Sequence, residues 1–222
     1  MKVLSLNLGS AVAVPYTQQP DGLTGIDKRP VDGPVRVFAP GPKGTGASGM
    51  TGDAVCHTRH HGGDDQAVYA YAREDLDEWE RDLGRPLRSG VFGENLTVSG
   101  LDVSGARVGE RWRVGPEVVL QVTSPRIPCG TFQGHMGEPQ WVKRFTAKGA
   151  PGAYLRVLTP GEIRPGDAVE VIHRPGHDVT VALVFRALMV ERALLPRLLE
   201  AGEDLPAEER EVVRKYRERQ AP

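Results

Sequence analysis

Over the first four-fifths of the chain, apolar residues fall on alternate positions in short runs. Val3-Leu4-Ser5-Leu6-Asn7-Leu8 repeats with period two, as a half-buried strand requires, and Val35-Arg36-Val37-Phe38 repeats the pattern. Runs at Ala67–Tyr71, Asn95–Val98, Arg111–Val114, Val118–Thr123, Ala153–Leu158 and Ala168–Ile172 predict six more strands. Gly115-Pro116 separates two of them, so Arg111–Thr123 reads as a hairpin. Many short strands with little helix between them favour a barrel or sandwich over a parallel α/β sheet.

The apolar period lengthens in a few places. Arg73–Leu83 puts Leu76, Trp79 and Leu83 on one helical face, carries Glu74 and Asp75 in its first turn, and meets Gly84 at its end. A weaker helix is expected over Pro139–Ala147. From Asp178 onward the texture becomes helical. Thr180 can cap a helix over Val181–Val190, a second covers Glu191–Glu200, and Pro206 can open a third through Arg219. Pro196 argues for a kink in the middle one. The expected organisation is a strand-rich domain over residues 1–177 and a three-helix region over 178–222.

Composition sharpens this division. The 27 Gly and 18 Pro make up a fifth of the chain, against roughly 12% in average proteins. Only one of those glycines, Gly202, lies in the helical tail, so the turn-forming residues belong to the strand-rich part. Lys+Arg 28 against Asp+Glu 29 leaves a net charge of −1, without the basic excess that holds nucleic acid or an anionic membrane surface. The tail carries 8 basic and 9 acidic residues, which argues against a groove-binding helix-turn-helix module and for a packing or dimerisation role. The longest apolar run, Val181–Phe185, is too short to span a bilayer, and Met1–Asn7 lacks the apolar stretch of a signal peptide. A cytoplasmic location is expected, with Cys56 and Cys129 as free thiols.

Several segments carry chemistry. Gly44–Gly49 fits G-x-G-x-x-G, but no helical run follows it, so a flexible connector is expected rather than a dinucleotide site. Cys56-His57-Thr58-Arg59-His60-His61 gathers a thiol and three imidazoles, a ligand set that zinc accepts, yet Gly62-Gly63 ends the segment with no second ligand pair at zinc-finger spacing. In His61-Gly62-Gly63, the paired glycines permit positive φ, so their N–H groups can face an anion beside the His61 donor. Gly93-Glu94-Asn95-Leu96 places a carboxylate and an amide at the mouth of a strand, where Glu94 reads as an ordinary turn group. Ser124-Pro125-Arg126-Ile127-Pro128-Cys129-Gly130 is the most constrained stretch. Its prolines fix the backbone around Arg126 and Cys129, and a cation three residues away favours thiolate when both point the same way. A thiolate can ligate a soft metal or act as a nucleophile.

Taken in order, these pieces resemble MOSC-domain proteins of the YiiM-like group. The matching stretches are Val3–Gly9, Gly52-Asp53, His61-Gly62-Gly63 with Asp65 and Ala67-Val68-Tyr69, Gly93–Leu96, Gln121–Cys129, and Gly161-Glu162-Ile163 with Gly166-Asp167. The resemblance spans essentially the whole chain. It implies a MOSC-type β-barrel with a few helices, followed by a three-helix extension. It also implies binding of the molybdenum cofactor (Mo-molybdopterin), with Cys129 by position the metal ligand and catalytic residue. Cofactor contacts are expected at His61, Gly62, Gly63, Asn95 and Arg126. The implied activity is reduction of N-hydroxylated compounds, including hydroxylamino base analogues, with electrons from a flavoprotein reductase partner. No nucleic acid or membrane partner is implied, and a homodimer is compatible. Two other functions fit the same residues: a non-enzymatic carrier of the cofactor or of sulfur on Cys129, and a zinc-binding barrel using His57, His60 and His61. Cys56 inherits no role from the resemblance.

Overall fold

The computed structural model describes residues 1–17 and 19–220. Its strands are β1 (Lys2–Gly9), β2 (Val12–Ala13), β3 (Leu23–Thr24), β4 (Lys28–Val31), β5 (Val35–Val37), β6 (Val68–Ala72), β7 (Leu96–Ser99), β8 (Arg111–Val114), β9 (Val118–Pro125), β10 (Ala153–Thr159), β11 (Gly161–Ile163) and β12 (Val169–His173). The α-helices are α1 (Arg73–Leu83), α2 (Gly130–Met136), α3 (Trp141–Lys148), α4 (Val181–Met189) and α5 (Ala207–Gln220).

Eight strands form one sheet in the order β12-β8-β9-β10-β6-β7-β1-β4, while β5 pairs with β11 and β2 with β3. Every pairing in the large sheet is antiparallel except β6–β7, and α1 supplies the crossover that a parallel pair needs. The helix has the predicted boundaries, buries Leu76 and Trp79, and ends on Gly84 in the left-handed conformation. The predicted hairpin is β8–β9, with Arg111 opposite Gln121.

The expected closed barrel is not found among the described residues. β4 and β12 are the two edges of the sheet, and β12 approaches only the start of β1, where Lys2 bridges Ala168, the Val3 N–H donates to the Asp167 carbonyl at 2.9 Å, the Gly166 N–H to the Val3 carbonyl at 2.8 Å and the Val169 N–H to the Met1 carbonyl at 3.1 Å. The reason lies in β1. Its pairing with β4 from Leu6 to Gly9 occupies the edge that β12 would need, leaving only the first residues free.

The expected three-helix extension is also corrected. Between α4 and α5 the chain runs as 3₁₀ turns over Arg192–Asp204, containing Pro196 and broken at Gly202, so the middle piece is not an α-helix. The Thr180 hydroxyl caps α4 by accepting from the Leu183 N–H at 3.1 Å. Val181 of α4 packs into the core inside the sheet, Phe185 into an aromatic cluster, and Val184 and Ala187 into a C-terminal cluster.

The aromatic cluster joins α1, α2 and α3 beneath the sheet. Trp79 lies 4.6 Å from Trp141, Phe92 lies 5.3 Å from Phe132, and all four are almost completely buried. Such rings supply large apolar area together with specific edge-to-face geometry. Trp79→Ala is expected to lower the unfolding free energy by about 3–5 kcal/mol. Glu78→Ala, which removes only an exposed ion pair with Lys148, is expected to leave the urea midpoint close to that of wild type. Urea denaturation of the two variants checks the contrast, and similar costs would contradict the packing described.

Candidate functional site

A cavity of about 110 Å³, opening into a wider mouth, lies where β9 leaves the sheet and enters α2. Cys129, Arg126, His61, Lys28, Cys56 and Tyr154 line it, together with His57, Gly93 and Thr24. The prolines predicted to stiffen this stretch end β9 at Pro125, and Cys129 takes the N-cap position of α2, its carbonyl accepting from the Gln133 N–H at 3.0 Å. The thiol therefore leaves the chain at a strand-to-helix corner, at the edge of the aromatic cluster.

Arg126 enters the same cavity from beneath. It is 8% exposed, its guanidinium carbon lies 4.0 Å from the Phe132 ring centroid and 5.4 Å from that of Tyr69, and Nη1 donates to the Phe92 carbonyl at 2.5 Å. Stacking on rings suits a guanidinium, but it leaves hydrogen-bonding capacity unused, and Nε has no partner among the described residues. A buried donor without an acceptor costs free energy, which makes this group a candidate for ligand contact.

His61 forms another wall. Burial, then Arg126, pushes its pKa down to about 4, so the imidazole is neutral at pH 7. Its position comes from Gly62 and Gly63, which have φ of 78° and 79°. A Cβ on Gly62 would sit 2.4 Å from the Ala47 carbonyl oxygen, and one on Gly63 would sit 2.6 Å from the Lys43 backbone. The glycines thus serve packing against residues 43–47. Neither lines this cavity, and the Gly63 N–H donates to the Ala47 carbonyl at 3.0 Å. The Gly44–Gly49 loop is likewise a pinned turn rather than a free connector: Gly44 N–H donates to Thr58, Gly46 to Pro42 and Gly49 to Ala67.

Asn95 lies outside the cavity lining. Its Oδ1 accepts from the Tyr69 N–H at 3.1 Å while Nδ2 donates to the Asp53 carboxylate at 2.9 Å, so this side chain joins loops and has no group turned to a ligand. Glu94, fully buried, accepts from the N–H groups of Gly90 and Phe92 and from the Thr97 hydroxyl, closing the turn it sits in. Burial pushes its carboxyl above the usual range.

One lining residue that the sequence did not single out, Lys28, completes the site, held by Asp53 of the Gly52-Asp53 stretch. The Lys28 side chain is 8% exposed and its ammonium pairs with Asp53, whose side chain is 1% exposed. Asp53 also accepts from the Gly9 N–H at 2.8 Å, the Ser48 hydroxyl at 2.6 Å and Asn95. Lys28 lies in Asp27-Lys28-Arg29, which looks like a solvated charge run. The usable signal is the period-two series Thr24, Ile26, Lys28, all three of which are buried.

The zinc alternative fails on geometry. Among the described residues no three His, Cys, Asp or Glu side chains converge on a metal position. His57 Nε2 lies 3.0 Å from the Leu23 carbonyl, His60 is exposed, and only His57 and His61 reach the cavity. No described helix is long and apolar enough to cross a membrane.

The MOSC domain family model matches residues 57–170. The chain is 36% identical over 187 residues to YflK of Bacillus subtilis strain 168, covering 83% of this chain and 79% of that protein. It is 30% identical over 166 residues to a protein named reductase from Gibberella moniliformis, covering 72% of this chain and 29% of that one. The crystal structure of YiiM from Geobacillus stearothermophilus matches with a TM-score of 0.75 at 29% identity, over 96% of this chain and 97% of that one. The chain belongs to the MOSC domain family, and its fold is YiiM-like.

Two outcomes test this geometry. With its pKa depressed to about 4, His61 resists protonation in the folded state while the unfolded chain takes up a proton near the ordinary 6.5. Its contribution is full above pH 6.5 and is lost as pH falls toward 4. His61→Gln is expected to shrink the difference in unfolding free energy between pH 7 and pH 4.5 by up to about 3 kcal/mol. An unchanged difference would show that the imidazole is not buried as described. Asp53→Asn turns an NH₂ toward a donor and strands the Lys28 charge. Its expected cost is about 3–5 kcal/mol, read as a fall in the urea midpoint.

Proposed function

We propose that this chain is a molybdenum-cofactor-dependent reductase of N-hydroxylated compounds, working in the cytoplasm with electrons from a flavoprotein partner. The observation that carries the reading is the convergence, in a MOSC chain, of the Cys129 thiol and the half-satisfied Arg126 guanidinium on one cavity. A similar protein named reductase supports the reaction class.

The residues present fit the cofactor. A thiol is the side chain a soft metal selects, and a metal held by one protein thiol must bring its other ligands with it, in keeping with the absence of a multi-residue metal cluster among the described residues. The unpartnered Nε of Arg126 gives this wall the cationic donor that a pterin phosphate needs. When bound, the cofactor supplies the two-electron redox chemistry, and the protein supplies position and electrostatics. Cys129 would hold the metal and Arg126 would orient the anionic end. His61, neutral at pH 7, would add a hydrogen-bonding wall without adding charge. Tyr154 would close the apolar side of the pocket, where burial keeps its phenol protonated.

Cys129→Ser, produced in a host that makes the cofactor, tests the reading. Molybdenum content is expected to fall to background, and turnover of an N-hydroxylated amine by at least about 100-fold, with the melting temperature within about 2 °C of wild type. Retained turnover in the variant overturns the assignment. A wild-type protein that holds molybdenum yet reduces nothing with a chemical electron donor is a carrier.

A further inference from the structure

We infer that Lys28 is the acid that protonates the departing oxygen in this cavity, an assignment that rests on the reductase reading above. Reduction of R–NH–OH to R–NH₂ and water consumes two electrons and two protons. The N–O bond breaks, the two electrons arriving from the reduced flavoprotein class of donor complete lone pairs on both atoms, the nitrogen takes one proton, and the oxygen takes the other and leaves as water. Without that second proton the leaving group is hydroxide, so a positioned acid is the group this reaction most needs from the protein.

The cavity wall offers few candidates. The Arg126 guanidinium does not give up its proton. His61 is neutral at pH 7, with its pKa pushed down to about 4, so it has no acidic proton to give. Burial pushes both the Cys56 thiol and the Tyr154 phenol up, making each a weaker acid. Cys129 would be taken by the metal, and His57 turns its Nε2 away, to the Leu23 carbonyl at 3.0 Å and the Asp21 carboxylate at 3.5 Å. Lys28 remains, and its geometry suits the task. Its ammonium is nearly enclosed, lines the cavity, and spends one N–H on Asp53 Oδ1. Among the described residues Nζ makes no other hydrogen bond, so two N–H groups are free for a substrate oxygen.

The surroundings favour proton release. Burial lowers the Lys28 pKa from the usual lysine range and Arg126 adds to this, while Asp53 and the more distant Glu94 oppose it. The Lys28 charge is felt in turn at the Cys56 thiol, whose pKa it lowers against the larger effect of burial. Asp53 does not line the cavity, and its oxygens accept from Gly9, Ser48, Asn95 and Lys28. Its role is to aim the ammonium.

Lys28→Arg is the informative variant, since it keeps the ion pair with Asp53, and with it the fold, but replaces the acid with a cation that does not release its proton. In cofactor-loaded protein with an N-hydroxylated amidine as substrate, kcat is expected to fall by about 10²–10⁴-fold. KM and molybdenum content should match wild type, and the alkaline fall in kcat that a lysine acid gives the wild-type enzyme should be absent from the variant. In cofactor-free protein carrying ¹³C at the lysine ε-carbons, the Lys28 resonance should titrate below every other lysine. A Lys28→Arg enzyme with near wild-type kcat, or one that has lost its molybdenum, overturns the assignment by making Lys28 a charge or a cofactor contact. So does a Lys28 resonance that titrates with the exposed lysines. A wild-type protein loaded with molybdenum and inert toward the amidine overturns the reductase reading, and this assignment with it.

Discussion

The Asp53 carboxylate accepts hydrogen bonds from four stretches of chain that are far apart in sequence: Gly9 at the end of β1, Lys28 at the start of β4, Ser48 in the turn after β5, and Asn95 before β7. Burying a charge this completely is costly unless its lone pairs are matched, and here four donors match them. The network extends further, since Asn95 also fixes the β6 backbone at Tyr69 and receives support from Asn7 through the Asn95 Nδ2 bond to the Asn7 carbonyl. One acid thus pins the β1–β4 edge, the glycine-rich turn and the parallel β6–β7 pair to one another. It also fixes one wall of the cavity. Lys28 is held at that wall because Asp53 is already anchored by three other donors, from Gly9, Ser48 and Asn95.

The rest of the cavity wall follows from packing. The prolines at 125 and 128 end β9 and give the chain a stiff corner, and the aromatic cluster receives the first turn of α2 through Phe132. Arg126 is stacked on that cluster without a carboxylate partner, so its charge is offset by ring faces and a single carbonyl. The two cations therefore differ in kind. Lys28 is a compensated, directed ammonium, and Arg126 is an under-satisfied guanidinium that leaves the cavity electropositive. A mouth holding both, beside a thiol, attracts anions and can still deliver a proton.

Much of this was legible in the sequence wherever the pattern is local. The α1 boundaries followed from an apolar face closed by Gly84, the β8–β9 hairpin from one turn signal, and the importance of Arg126 and Cys129 from the prolines that bracket them. α2 was missed because Gly130-Thr131-Phe132-Gln133-Gly134-His135-Met136 carries two glycines in seven residues, a poor intrinsic helix former that becomes helical by burying Phe132 and Met136 and by packing Gly134 against Tyr16. Closure of the sheet was misjudged because it depends on which strand occupies the free edge of β1, a non-local matter. Lys28 was hidden for the same reason, as its partner Asp53 lies 25 residues away and the flanking Asp27 and Arg29 look like solvent-facing charges. Gly62-Gly63 was recognised as a special turn, and what the sequence did not show is the close approach of this turn to residues 43–47.

The most direct test of the central claim, that this cavity houses a cofactor on Cys129, is anomalous diffraction at the molybdenum edge from crystals of protein purified from a cofactor-competent cell. The account predicts a single peak within bonding distance of Cys129 Sγ, on the side of the cavity shared with Arg126 and Lys28. A peak at another position, or its absence from crystals of protein that still reduces N-hydroxylated compounds, would contradict it.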